Sequence, residues 1–351
     1  YGMFSPTPIL PMSWWWELFD NQHMTPYLRS VRAISDRMLK DGKGDFEKVP
    51  VSAGLLETYA LKCGDSLVGL SRRQIGALTW ESVAAGTQST MLELLVKQRF
   101  EEAVKGREEI RSAPDDVVRA IQEQRHKFLE QKTDEVRLAG DAVIASFFAG
   151  DKLKARKAVL ADVEHAVSKY PPDWDVARRL RSALLREPHS IRPFHWELEF
   201  PEVFARSDGG FDAIVGNPPF LGGSRISTNF GLRYLEWLLM SHERSHGNGD
   251  LVAHFFRRSS EFVRLGGAFG LVATNTIGQG DTRSTGLEQI LADGGVIYRA
   301  TRRLRWPGDA AVVVSVVHIA KGISRASVLD GRNVHRISAY LVAGNLDTAP
   351  A

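Results

Sequence analysis

The sequence predicts an α/β fold with a large, mainly helical insertion, and three observations carry that expectation. After Pro193, short apolar runs alternate with helix-length amphipathic stretches, the pattern of a sheet built from strand–helix units. Residues 71–190 lack such runs and carry apolar side chains at helical spacing instead. The composition is that of an ordinary globular chain, with 43% hydrophobic and 25% charged residues and a formal net charge of +3 over 351 residues. That balance excludes a histone-like polycation and an acidic disordered tail. One cysteine, Cys63, excludes an internal disulfide framework and a multi-cysteine zinc site, and places the chain in a reducing compartment, the cytoplasm. No apolar run approaches the ~18–20 residues of a membrane span. Tyr1-Gly2-Met3 carries no basic leader and no initiator Met, so the chain reads as an internal piece of a longer protein.

Three segments are expected, 1–70, 71–190 and 191–345. In the first, Pro6, Pro8 and Pro11 break regular structure, Trp14-Trp15-Trp16 opens a short helix, and the polar stretch 41–48 is loop. Tyr59 to Cys63 reads as a strand that ends in a Gly64-Asp65 turn. In the second, Leu92 to Val104, Val117 to Leu129, and the set Val143, Phe147, Leu153, Val159 and Val163 suggest three helices. Between 97 and 137 stand 10 Lys/Arg and 10 Asp/Glu, a composition suited to solvated helix faces with i,i+4 pairs. In the third, strands are expected at Phe211–Val215, Ala268–Ala273, Val296–Ala300 and Val312–Ile319, with helices at Tyr234–Met240 and Val252–Val263. The sheet should be mostly parallel, with the last two strands as antiparallel neighbours at one edge.

The informative stretch is Phe211-Asp212-Ala213-Ile214-Val215-Gly216-Asn217-Pro218-Pro219-Phe220. A strand runs into Gly216 and then into a turn whose two prolines fix φ and remove two backbone donors. Such a turn is stiff and rich in free carbonyls, and ligands in open α/β sheets bind beyond the carboxyl ends of strands. Here the sequence resembles the amino-group DNA methyltransferases, the N6-adenine and N4-cytosine enzymes that use S-adenosylmethionine, in a class I (Rossmann-like) sheet. The resemblance implies that the Asn217 side-chain carbonyl and the Pro218 backbone carbonyl accept the two hydrogens of the target amine, with Pro219 stiffening the turn. Phe220 would stack on the extruded base.

Further stretches agree. Phe194-His195-Trp196-Glu197-Leu198-Glu199-Phe200-Pro201 looks like the large methylases of type IIG restriction–modification and related phage-defence systems. Gly249-Asp250-Leu251-Val252 resembles the motif after the catalytic turn, and Leu271-Val272-Ala273-Thr274-Asn275-Thr276 the fifth strand and its loop. Trp306-Pro307-Gly308-Asp309 resembles the motif whose aromatic residue packs on the other face of the flipped base; the alternative for Trp306 is an apolar anchor of an edge strand. Leu61-Lys62-Cys63-Gly64-Asp65 resembles the third cofactor motif, in which Asp65 would accept a hydrogen bond from the cofactor's adenine amine. No glycine-rich methionine-cradling loop is visible, so an upstream region or a partner chain is expected to supply it, with a target-recognition domain or nuclease as further partners. The implied geometry puts Asn217 at the end of a central parallel strand, with Asp65 on the same rim.

Two other patterns remain. His242-Glu243-Arg244-Ser245-His246 matches the zinc-protease pattern, against the reading of a solvated helix end closed by Gly247-Asn248-Gly249. From 299 to 336 the chain carries eight Lys/Arg and only Asp309 and Asp330, which suits phosphate contacts by Arg302, Arg303 and Arg305 or an ordinary basic surface. The expectation is a site-specific DNA adenine methyltransferase with S-adenosylmethionine as cofactor, DNA as partner and no resident metal. The alternatives are a non-catalytic DNA-binding or assembly module and, more remotely, a metalloprotease.

Overall fold

The computed structural model describes residues 62–83, 90–112, 119–186, 190–305, 313–322 and 326–345. The sequence expectations for Trp14–Trp16, for 41–48 and for most of the Tyr59–Cys63 strand lie outside them. The described residues form a helical layer followed by a mixed sheet with its own helices.

The helical layer comprises α1 (Arg72–Gly76), α2 (Met91–Arg111), α3 (Arg119–Phe148), α4 (Leu153–Val167) and α5 (Asp175–Leu184). Two of its starts are set by polar caps. Ser71 and Gln74 close a capping box on α1, and the Thr90 side chain accepts from the Glu93 amide on α2. The structure joins the second expected helix to the start of the third. α3 runs unbroken to Phe148, and the break falls before Leu153. Arg156 makes that break tenable: its Nε donates to the Gly150 carbonyl at 2.7 Å and its guanidinium lies 4.2 Å from the Phe147 ring centroid.

Periodic apolar residues of α2 and α3, among them Leu92, Val96, Val136, Val143 and Phe147, pack into one core with Leu67, Ile226, Trp237 and Leu251. The helical layer therefore shares its interior with helices that flank the sheet. Its other attachment is ionic. Glu130 meets Lys62 at 2.8 Å, Arg107 at 3.3 Å and Arg137 at 3.0 Å, and Glu199 meets Arg137 at 2.8 Å and Lys62 at 3.3 Å. Glu199 belongs to α6 (Trp196–Glu199), which is followed by α7 (Pro201–Phe204).

The sheet holds β1 (Phe211–Gly216), β2 (Val263–Thr274), β3 (Gly295–Arg305), β4 (Val313–Lys321), β5 (Ser327–Leu329) and β6 (Arg332–Val334), in the order β1-β2-β4-β3-β5-β6. Between β1 and β2 lie α8 (Gly223–Phe230), α9 (Leu232–Ser241) and α10 (Leu251–Phe262); between β2 and β3 lie a 3-10 turn (Asn275–Gly278), α11 (Gly280–Thr285) and α12 (Leu287–Ala292). The expected α/β architecture is present, but parallel pairing is confined to β1/β2 and β3/β5, and the other three pairs are antiparallel. β3 and β4 are antiparallel as expected, yet β4 is interior rather than at an edge. Its unbroken apolar run is buried from Val314 to Ala320, as a strand between two others requires. β1, expected to be central, is the first strand of the described sheet. No described helix is long and apolar enough to cross a membrane.

The ionic attachment has a measurable weight. Glu199→Ala leaves Lys62 with Glu130 alone, and Arg137 with the same Glu130 and the half-exposed Asp134, in a largely buried setting, which should cost about 2–4 kcal/mol. A lowered urea midpoint at unchanged m-value is the expected result. An unshifted midpoint would show that the network does not hold the two layers together.

Candidate functional site

β1 delivers its turn to the rim through its parallel pairing with β2. Gly216 pairs with Leu271, and a Cβ at Gly216 would stand 3.0 Å from Leu271 Cδ2. Asn217 follows, exposed, and its amide has no hydrogen-bond partner among the described residues. Pro218 is buried and Pro219 exposed. The half-buried Phe220 packs beneath the rim on the cluster of Val272, Val314 and Val316 and on the larger core of the sheet. The ring is thus partly committed to holding the turn down, with only part of its surface left for a stacked partner.

Because β1 and β2 are parallel, their carboxyl ends emerge side by side. β2 leads into the Asn275 turn, where Ser315 Oγ lies 2.8 Å from Asn275 Oδ1. Val314 pairs with both Thr274 and Leu304, so the end of β3 shares this rim. Three arginines stand there with different fates. Arg302 makes two bonds to Asp330 Oδ2, at 2.9 and 2.7 Å, and its amide donates to Asp330 Oδ1 at 2.8 Å. Arg303 sits at φ 54° where the β3/β4 register shifts. Arg303 and Arg305 are exposed and make no hydrogen bond or close ion pair among the described residues, although the Arg303 charge helps to hold the Asp330 carboxyl low, so they, rather than Arg302, are cations the rim leaves facing solvent. Trp306 and the motif after it lie outside the described residues.

Asp65 lies in a turn held by several hydrogen bonds. Its turn pairs with Arg192–Pro193 through the Asp65 amide, which donates to Arg192 O at 2.7 Å. Leu67 N donates to Asp65 Oδ1 at 3.0 Å and the Tyr234 hydroxyl to Oδ2 at 2.9 Å. Trp237 Nε1 and Arg258 then fasten Leu67 O at 3.0 and 3.1 Å. Burial pushes the Asp65 carboxyl above its ordinary range, against the pull of Leu67, Tyr234 and Arg258. The structure therefore joins Asp65 to α9 and α10. None of its described hydrogen bonds comes from the Asn217–Phe220 turn.

The sequence placed Asp250 in a motif after the turn but gave it no role in fastening that turn. Asp250 caps α10: its Oδ1 accepts from Val252 N at 3.0 Å and from Leu221 N at 3.1 Å. The signal was legible as an acidic residue directly before an apolar helix start.

Residues 151–294 match the family model described as Eco57I restriction-modification methylase. That stretch contains β1, the Asn217–Phe220 turn, Asp250 and β2. Two solved structures are similar at low identity. The type IIL restriction-modification enzyme MmeI, solved in complex with DNA, is 16% identical, with 79% of this chain and 45% of that chain covered and a TM-score of 0.35. A nuclease-deletion mutant of the type ISP restriction-modification enzyme LlaGI, solved with a DNA substrate mimic, is 10% identical, with 88% and 33% covered and a TM-score of 0.24. This chain thus spans less than half the length of either. No curated protein matches.

The zinc-protease pattern does not assemble. α9 ends at Ser241, so His242 and His246 do not share a helix face. His242 is buried with its Nδ1 2.9 Å from His254 Nδ1, whereas His246 is exposed. One ring of the pair donates and the other accepts, which requires the accepting imidazole to be neutral. Burial holds His242 well below the ordinary histidine range, and Arg258, His254 and Arg257 add to the effect. Burial, with Arg257 and Arg258, brings His254 to about 3.

A pH dependence follows from that pair. In the unfolded chain both rings titrate near 6.5, and in the folded protein far lower. Below 6.5 the unfolded state binds more protons, so the pair's contribution is complete above that pH and is lost as pH falls toward about 3. At pH 5 the loss from His254 should be on the order of 2 kcal/mol, and His242 adds to it in the same direction. Thermal melts between pH 8 and 5 should show a falling Tm that His254→Gln flattens. An unchanged slope in the variant would assign the acid sensitivity elsewhere.

Proposed function

We propose that the chain carries the catalytic turn of an S-adenosylmethionine-dependent DNA methyltransferase of a restriction-modification or phage-defence system, acting on the N6 amine of an extruded adenine. The observation that carries this reading is the Asn217 side-chain amide, exposed and without a partner among the described residues, beyond a strand end and on a turn stiffened by two prolines. An exocyclic amine is a poor nucleophile because its lone pair is delocalised into the ring. Two carbonyl acceptors, from the Asn217 side chain and the Pro218 backbone, favour the pyramidal nitrogen whose lone pair points outward. Because Pro218 and Pro219 carry no amide hydrogen, the turn offers acceptors with few competing donors. The accessible part of Phe220 supports one face of the base, and Trp306, next in the chain after the rim residue Arg305, the other. Arg303 and Arg305 supply phosphate contacts, so DNA affinity should fall with added salt.

The cofactor would supply an electrophilic methyl group on a sulfonium. The described residues fit its adenine end alone. Asp65 already accepts one hydrogen bond on each carboxylate oxygen and retains lone pairs for an adenine amine. The methionine end needs the glycine-rich loop that an upstream region or partner chain would provide.

The test is transfer of labelled methyl from S-adenosylmethionine to duplex DNA by the complete enzyme. Asn217→Ala should lower kcat by about 10²–10³ while DNA binding changes little, since the lost acceptor matters most in the transition state. Phe220→Ala should weaken retention of the extruded base by about 1–3 kcal/mol. Near-wild-type transfer by the Asn217 variant would remove this turn from the chemistry. Methyl appearing on cytosine rather than adenine would correct the choice of base.

A further inference from the structure

We infer that Asp250 is a positioning residue for methyl transfer, the strut that fixes the exit of the Asn217–Phe220 turn; the inference rests on the function proposed above. The turn is poor in donors of its own. Pro218 and Pro219 have none, so the residues that follow must fasten it. Leu221 does so on both sides of its peptide. Its amide donates to Asp250 Oδ1 at 3.1 Å, and its carbonyl accepts from Leu251 N at 2.9 Å.

Asp250 is itself immobilised. It is 7% exposed, its Oδ1 also accepts from Val252 N at 3.0 Å, and its own amide donates to Thr282 Oγ1 at 3.0 Å. Two residues further on, the chain is pressed against the same segment. A Cβ at Gly223 would lie 2.2 Å from the Asn248 carbonyl carbon, so only glycine permits the contact. Asp250 thus ties three things at one atom pair: the turn's exit, the start of α10 and, through Thr282, the helix beyond β2. Slack at Leu221 would pass to its neighbour Phe220 and from there to Asn217. An acceptor displaced by a fraction of an ångström loses the target amine while the substrate still binds.

A plain structural role and a positioning role differ in what they predict. Asp250→Ala removes both side-chain bonds. Asp250→Asn keeps an oxygen able to accept both amides. Thr90→Ala removes an N-cap of the same kind on α2, remote from the turn. In the full-length protein, with labelled S-adenosylmethionine and unmodified duplex DNA, Asp250→Ala should lower kcat about 10- to 100-fold. KM for DNA should change less than about threefold. Asp250→Asn should recover to within about fivefold of wild type, because its carbonyl retains both bonds. Thr90→Ala should leave kcat at the wild-type value. Amide exchange should be protected at Leu221 in the wild type and in Asp250→Asn, and fast in Asp250→Ala. A folded Asp250→Ala protein with wild-type kcat, or an equal loss in Thr90→Ala, would overturn the positioning role while the turn's chemistry stands. A wild-type enzyme that transfers no methyl group would overturn the functional reading, and the inference with it.

Discussion

The parallel pairing of β1 with β2 is the constraint on which the site depends. Two parallel neighbours joined through helices must deliver their carboxyl ends to the same edge of the sheet. That brings the turn at Asn217 beside the turn at Asn275, and the antiparallel β4 and β3 return Val313 and Arg305 to the same rim. Residues spread over some ninety positions of chain therefore become neighbours at one edge through ladder geometry alone. A tight spot in that ladder is Gly267, where a Cβ would stand 2.9 Å from the Asp212 carbonyl oxygen.

A site built on a turn with few donors has to be held from outside itself. The structure does this by an apolar wedge and a polar strut. Phe220 is seated on Val272, Val314 and Val316, and Leu221 is bonded at both peptide groups to the start of α10. Farther back, the helical layer contributes rigidity in two ways, through an apolar core continuous with Ile226, Trp237 and Leu251, and through the carboxylates of Glu130 and Glu199 shared among three cations. Ionic clusters of this depth are poor sources of net stability but are costly to break, because removing one member strands its partners away from water.

Electrostatics divides the rim's arginines by function. Arg302 is spent on Asp330, which also caps its backbone amide, and the pair closes the β3–β5 corner. Arg303 and Arg305 remain to face solvent at the same end of β3. A similar division applies to the aspartates. Asp250 works inside the fold, and Asp65 is held by Tyr234 beside a set with Trp237 and Arg258 around Leu67.

The sequence by itself determined the features whose physics is local. The apolar run Phe211–Val215, the proline pair after Asn217, the helical character of 71–190 and the helices around 234–240 and 252–262 all follow from periodicity and from the backbone limits of proline. The turn was legible because two prolines leave the chain few alternatives. Only the tertiary structure decided the rest. The interior place of β4, the unbroken α3, the capture of Arg302 by Asp330, the His242–His254 pair and the second bond of Asp250 each join residues distant in sequence. Such contacts depend on strand order, register and helix packing, which set which side chains meet. A residue's type and local spacing carry no record of the partner that the fold brings to it.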